Sequence, residues 1–287
     1  MAARPRTLPA AIAPVLVGTA AAVELTGELR AGPFLAALAD SVLIQIGTNL
    51  ANDYSDARRG ADTADRLGPV RVTSAGLVAP RRVLHATGLA FAAAIATGVY
   101  LASVAGPVIL VVGAASILAG VLYTGGPRPY GYAGLGEAFV FVFFGLVAVN
   151  GSYFVQVERL DWLPFALSIP IGLLSTAILV VNNIRDIDTD RRAGKLTLAV
   201  RIGRRRARGL YRAITIGAFV ALPIALAASD GSALGLLAVL AAPLALAPLR
   251  AVSSHTDGPT LNRALAGAGT LLGAFSLLLA AGLLLAS

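Results

Sequence analysis

The sequence predicts an all-α integral membrane protein, one polytopic domain over residues 1–287 built from nine transmembrane helices. Three observations carry this. The chain is 57% hydrophobic and 13% charged, with a mean hydropathy of +0.79, whereas a soluble domain carries about 25% charged residues. The apolar residues gather in nine runs close to the roughly 20 residues that a bilayer core requires. The basic residues then fall almost entirely on one side of the membrane.

The first run, Thr7–Val23, follows Arg4 and Arg6 and contains Pro9 and Pro14. It shows no processing site and reads as a span rather than a cleaved leader. Phe34–Tyr54 is the second span and ends in a polar, acidic stretch. Val83–Val104 and Pro107–Tyr123 follow, separated only by a turn at Gly106-Pro107. Leu135–Phe154 and Leu163–Ile187 are the fifth and sixth, and the sixth again ends in acids. Arg206–Ala228, Ala233–Leu249 and Leu261–Leu285 complete the set. The runs are long and Ala/Leu-rich rather than alternating, which argues for helices and against barrel strands.

Nine crossings place every lysine and arginine except Arg30 and Arg159 on one side. The positive-inside rule makes that side cytoplasmic, in the cell (plasma) membrane. The net charge of +8 therefore implies no nucleic-acid partner; the neighbour is membrane lipid. The Arg204-Arg205-Arg206 run reads as a juxtamembrane anchor, and Tyr153, Phe154 and Trp162 as an aromatic belt at the outer interface. There is no cysteine, which excludes disulfides, thiolate catalysis and cysteine-held metals. His85 and His255 lie far apart and receive no role.

The chemistry-bearing residues sit at two span ends. One stretch runs from Asn49 through Asn52, Asp53 and Asp56 to Gly60, Asp62 and Asp65. The other contains Asn182, Asn183, Arg185, Asp186, Asp188 and Asp190. Asn52 and Asp56 are four apart, as are Asn182, Asp186 and Asp190, so on helices each set lines one face. The recurrence of Asn-x-x-x-Asp four spans later looks like an internal pseudo-repeat. Stacked carboxylates at an apolar helix end are costly unless paired or bound to metal. Mg²⁺ takes oxygen ligands and bridges one or two carboxylates to substrate phosphates. Two such rows among arginines and lysine therefore fit a diphosphate held through Mg²⁺. The plainer reading is that the acids pair with nearby arginines at solvated helix ends; two matched motifs on one side weigh against it. Asp65 and Asp188 break the rows and read as loop or helper residues.

At these residues the chain resembles the UbiA superfamily of intramembrane prenyltransferases, whose motifs are Asn-Asp-x-x-Asp-x-x-x-Asp and Asp-x-x-x-Asp. The second is intact at Asp186 and Asp190. The first matches at Asn52, Asp53 and Asp56, but its last acid falls on Gly60, with Asp62 two positions on. The variant from Asn52 to Asp62, together with Arg4–Pro9, Tyr123–Glu137 and Asn182–Gly203, is similar to the branch that prenylates 1,4-dihydroxy-2-naphthoate. The resemblance implies a bundle around a central cavity under a cytoplasmic cap. It also implies two bound Mg²⁺ ions and transfer of a polyprenyl chain from polyprenyl diphosphate to 1,4-dihydroxy-2-naphthoate, releasing diphosphate and CO₂ and giving a demethylmenaquinol.

On that reading Asp56, Asp62, Asp186 and Asp190 hold metal, with Asn52, Asp53 and Asn182 beside them. Arg66, Arg71, Arg185 and Lys195 are candidates for the diphosphate oxygens. Tyr123 and Arg128 are candidates to shield an allylic cation or hold the acceptor carboxylate; their alternatives are an interface tyrosine and a topogenic charge. Another acceptor such as 4-hydroxybenzoate stays open. A CDP-alcohol phosphotransferase would need glycine where Ala57 follows Asp56. A secondary transporter would place its ionisable residues near the midplane rather than at helix ends.

Overall fold

The computed structural model describes residues 4–61, 67–68 and 70–287. The described residues contain helices and no strand, as expected of backbone that must satisfy its own hydrogen bonds in lipid. In chain order the helices are α1 Leu8–Thr26, α2 Ala31–Arg58, α3 Pro80–Ala105, α4 Val108–Leu122, α5 Gly136–Val157, α6 Trp162–Arg192 and α7 Leu198–Ala228. They end with α8, the bent pair Ala233–Ala241 and Pro243–Ser254, and α9, Gly258–Leu284. Among the described residues seven of these helices are long and apolar enough to cross a membrane, and the bent pair makes an eighth. The remaining one, α4, has 15 residues, about 22 Å at the helical rise, short of a full crossing, so the described residues supply up to eight of the nine expected spans by length.

Three expectations change in detail. The eighth span is not one straight helix: Ala233–Ala241 is a tight 3₁₀ segment and the chain turns by 44° before Pro243 continues as α-helix. Pro243 lacks the N–H that an uninterrupted helix would need at that point. The seventh span, expected from Arg206, is preceded by helix from Leu198 that breaks at Gly203, whose φ is +78°, so the arginine run opens the piece that follows the break. Tyr153 is no interface anchor; it is fully buried, and its backbone lies against Gly18 of α1. Trp162 does stand exposed, stacked on Phe165 with centroids 5.0 Å apart.

The core forms around α1 and α6, the most buried helices, and α9. Small residues make the approach possible: a Cβ on Gly145 of α5 would lie 2.7 Å from the Gly172 Cα of α6. Close backbone contact of this kind is how helices gain dispersion energy in lipid, which offers no hydrophobic drive between them. Within α5, Phe141–Val147 widens into a π-helical segment around that contact. The outward faces of α3 and α4 are apolar and open, with Leu89 and Val111 strongly exposed.

Polar contacts mark the two ends. At one end Arg30 bonds Gln156 and Glu158, and Asp161 caps α6. At the other, Arg185 bonds Asn262, Arg204 bonds Asp188 and Ile184, and Arg208 bonds the His255 carbonyl. Because the chain has no cysteine, single cysteines test orientation cleanly. A cysteine at Arg205 is expected to react with an impermeant maleimide only from the cytoplasmic face, and one at Leu160 only from outside. Reaction of both from one face would break the topology.

Candidate active site

The described parts of the two acidic stretches, Asn49 to Asp56 and Asn182 to Asp190, are helical and lie at the same end of the bundle. α2 continues through Arg58 and α6 through Arg192, so each four-residue row lines one helix face. α2 stops before Gly60, which sits in the left-handed region at φ +66°. An acid at that position would stand off the helix, out of line with Asn52 and Asp56, and any side chain there would be strained.

Asp53 and Asp56 are each only 1% exposed. Buried carboxylates persist only when paired or hydrogen-bonded, and each has its own solution. Asp53 accepts from the backbone N–H of Val72 at 3.2 Å and of Thr73 at 3.0 Å, fastening the segment after α2 back over the helix end. Asp56 Oδ2 meets Arg71 Nη2 at 3.2 Å and Lys195 Nζ at 3.9 Å, while Oδ1 accepts from the Tyr132 hydroxyl at 2.9 Å. Asn52 Oδ1 accepts from Thr124 Oγ1 at 2.8 Å.

On α6 the pairing is internal. Arg185 is 1% exposed and grips Asp186 through Nε at 2.8 Å and Nη2 at 2.6 Å. It also donates to Asn182 Oδ1 at 2.8 Å and Asn262 Oδ1 of α9 at 2.7 Å. Arg185, a candidate for the diphosphate, here brackets α6 and α9, with four oxygens of Asp186, Asn182 and Asn262 converging on its guanidinium. Asn183 donates to Glu137 Oε1 of α5 at 2.9 Å.

A closed chain of contacts joins the two motifs. The chain turns after α6 at Gly194, φ +70°, where the Lys195 N–H donates to the Asp190 carbonyl at 2.8 Å. The Lys195 side chain then reaches Asp56 of the other motif. Leu196 N–H donates to the Tyr132 carbonyl at 3.1 Å, and the Tyr132 hydroxyl returns to Asp56. The Tyr132 ring carries Lys195 Nζ at 5.2 Å and the Arg59 guanidinium at 5.6 Å from its centroid, within cation–π range. Arg59 is itself held by the Thr124 carbonyl at 3.1 Å and by the Gly126 carbonyl. The result is a cluster of Arg59, Arg71 and Lys195 gathered around Asp56 and Tyr132, with the backbone of Asp190 tied alongside.

Tyr123 ends α4 beside this cluster. Its ring packs on Gly131 and Gly136, where a Cβ would come within 2.9 and 3.1 Å. It meets Tyr130 edge-on at 5.5 Å, and Tyr130 stacks on Phe139 at 3.9 Å. Arg128 is exposed on the turn before this aromatic row. Asp188 pairs with Arg204 at 2.8 Å and is largely exposed, a helper outside the row. Asp62, Asp65 and Arg66 lie outside the described residues. Sequence reasoning missed Tyr132, Thr124, Arg59, Glu137 and Asn262 as site residues; the first four fell inside stretches singled out for resemblance, and only Asn262 lay outside them.

The donors present suit a hard cation. Every candidate ligand is an oxygen. Among the described residues no three His, Cys, Asp or Glu side chains cluster tightly enough to cage a metal by themselves. Oxygen donors are the ones Mg²⁺ takes, with waters and substrate phosphates completing its shell.

The UbiA prenyltransferase family model matches residues 11–266. A 1,4-dihydroxy-2-naphthoate octaprenyltransferase of Mycobacterium tuberculosis is 48% identical, over 90% of this chain and 87% of that one. The Escherichia coli protein of the same name is 40% identical over 92% and 89%. Among solved structures, a UbiA homolog from Aeropyrum pernix superposes with a TM-score of 0.72 at 15% identity, covering 96% of this chain and 97% of that one. A UbiA homolog from Archaeoglobus fulgidus bound to DMAPP and Mg²⁺ gives 0.61 at 12%, over the same shares. The all-helical fold, the paired acidic rows and this kinship over most of the chain agree: the protein belongs to the UbiA prenyltransferase family.

Proposed function

We propose that this protein transfers a polyprenyl chain from polyprenyl diphosphate to 1,4-dihydroxy-2-naphthoate, releasing diphosphate and CO₂, in menaquinone biosynthesis. The observation that carries the acceptor is the 40–48% identity to enzymes of that name over most of both chains. The observation that supports the site is the closed contact chain through Asp56, Tyr132, Lys195 and Asp190.

Asp56 with Asp62, and Asp186 with Asp190, are assigned to two Mg²⁺ ions, with Asn52 and Asn182 alongside. Bound there, the metal neutralises the leaving diphosphate as a Lewis acid. Arg71 and Lys195, which lie against Asp56, are placed to hold phosphate oxygens, and Arg66 is assigned beside them. Asp53 keeps Val72 and Thr73, and with them Arg71, against the helix end. The prenyl C1–O bond breaks with its electron pair leaving on diphosphate, and the faces of Tyr123 and Tyr130 shield the allylic cation. The electron-rich ring carbon attacks that cation and a C–C bond forms. The bond to the carboxylate then breaks, and its electrons restore the aromatic ring as CO₂ departs. Arg128 is assigned to hold the acceptor carboxylate until then. The site opens on the cytoplasmic side of the plasma membrane, where the basic loops lie.

The test is direct. Purified protein with labelled polyprenyl diphosphate and carboxyl-labelled acceptor is expected to give prenylated product and labelled CO₂ in equal amounts. EDTA should lower the rate at least about a hundredfold and Mg²⁺ should restore it. Transfer to 4-hydroxybenzoate without CO₂ release would overturn the acceptor; full activity in EDTA would overturn the metal.

A further inference from the structure

A cavity of about 640 Å³ lies between the end of α2 and the start of α3, lined by Tyr54, Arg58, Ala79, Pro80, Arg81 and Leu84. It is separate from the site above. Tyr54 and Arg58 share one helix face, and two residues along a helix turn the direction by about 200°, so this face points away from Asn52 and Asp56. Arg58 donates to the Tyr54 hydroxyl at 3.2 Å. Among the described residues no carboxylate pairs with Arg58 or Arg81, and both guanidinium groups are exposed at the cavity. Two unopposed cations at one cavity select an anion with several oxygens.

The depth of the cavity identifies where the anion comes from. The outward face of α3 is apolar and exposed from Leu84 through Leu89 and Ile95 to Val99, the character of a face turned to lipid in a chain that crosses a membrane. Arg81 stands one turn above Leu84, at the first turn of the same helix. The cavity therefore sits where hydrocarbon gives way to headgroups, with Leu84 toward the acyl chains and the arginines toward the phosphate.

We propose that this cavity binds the phosphate headgroup of an anionic glycerophospholipid from the surrounding leaflet. The occupant belongs to the membrane, and its phosphate bridges Arg58 and Arg81, tying α2 to α3.

The test uses the full-length protein in mild detergent, offered equal phosphatidylglycerol and phosphatidylcholine, with retention read by native mass spectrometry. Phosphatidylglycerol is expected to be retained about tenfold over phosphatidylcholine. The Arg58→Gln/Arg81→Gln variant should lose that preference. Arg205→Gln/Arg206→Gln removes the same charge from another exposed stretch at this end and should keep it. Undiminished preference in the first variant, or equal loss in the second, overturns the proposal. Millimolar inorganic phosphate should leave the lipid in place; displacement would make this a site for soluble phosphate and overturn the lipid assignment. Thermal melts of both variants should match the parent, since all four side chains are exposed.

Discussion

Asp56→Asn should lower turnover by roughly a hundred- to a thousandfold while leaving a protein that still inserts and folds. Among the described residues, Arg71, Tyr132 and Lys195 all converge on Asp56. The amide keeps the shape and one acceptor oxygen, so Tyr132 retains a partner. The charge is lost, and with it the capacity to hold a divalent cation against the diphosphate. The loss should appear in kcat more than in the KM for the aromatic acceptor, since the stabilisation lost is that of the departing charge. Tyr132→Phe removes one hydrogen bond, a change of about 1 kcal/mol, and should be far milder. Asp62→Asn, measured beside them, asks whether Asp62 supplies the ligand missing at Gly60; an effect as large as that of Asp56→Asn would say so. A folded Asp56→Asn enzyme with near-normal turnover would remove the metal assignment from α2.

Arg185→Ala should be the most damaging single change to stability, costing about 3–5 kcal/mol. It strips the two-pronged ion pair from buried Asp186 and a donor from Asn182 and Asn262. A lysine there can serve as a point charge but cannot reproduce the fork that meets both Asp186 oxygens, so Arg185→Lys should recover only part of the loss. Thermal unfolding in detergent, with yield from membranes as a second readout, checks both. If Arg185→Ala melts like the parent yet loses diphosphate affinity, Arg185 serves substrate and not the bracket.

The rows Asn52/Asp56 and Asn182/Asp186/Asp190 were legible in the sequence because helical stacking depends on spacing alone. The order of the helices was legible because lipid imposes length and the charges sort by side. What hid was through-space. Nothing in the spacing of Tyr132 points to Asp56; the short 3₁₀ turn Tyr130–Ala133 delivers it there. Nothing local says that Arg185 turns inward, because one of its acceptors, Asn262, belongs to a helix three further along. The helix ahead of the seventh span hid for another reason. Leu198–Arg212 is too rich in arginine to register as membrane-spanning, yet it is helical on both sides of the break at Gly203, because arginine is a good helix former.

The contacts that join Asp56 to Asp190 run through Tyr132 and Lys195, one from each side of the chain's midpoint. A ribosome delivering this protein to the membrane therefore produces, for most of its synthesis, an inserted but inert precursor. The first acidic row is complete early, yet its counter-cation Lys195 emerges only after the sixth helix. Chemistry switches on late, when the translocon has released enough chain for the second row to swing in. The allylic diphosphate, a reactive and costly substrate, is thus kept from half-built enzyme, and two separately expressed halves would be expected to regain activity only when they meet in one bilayer.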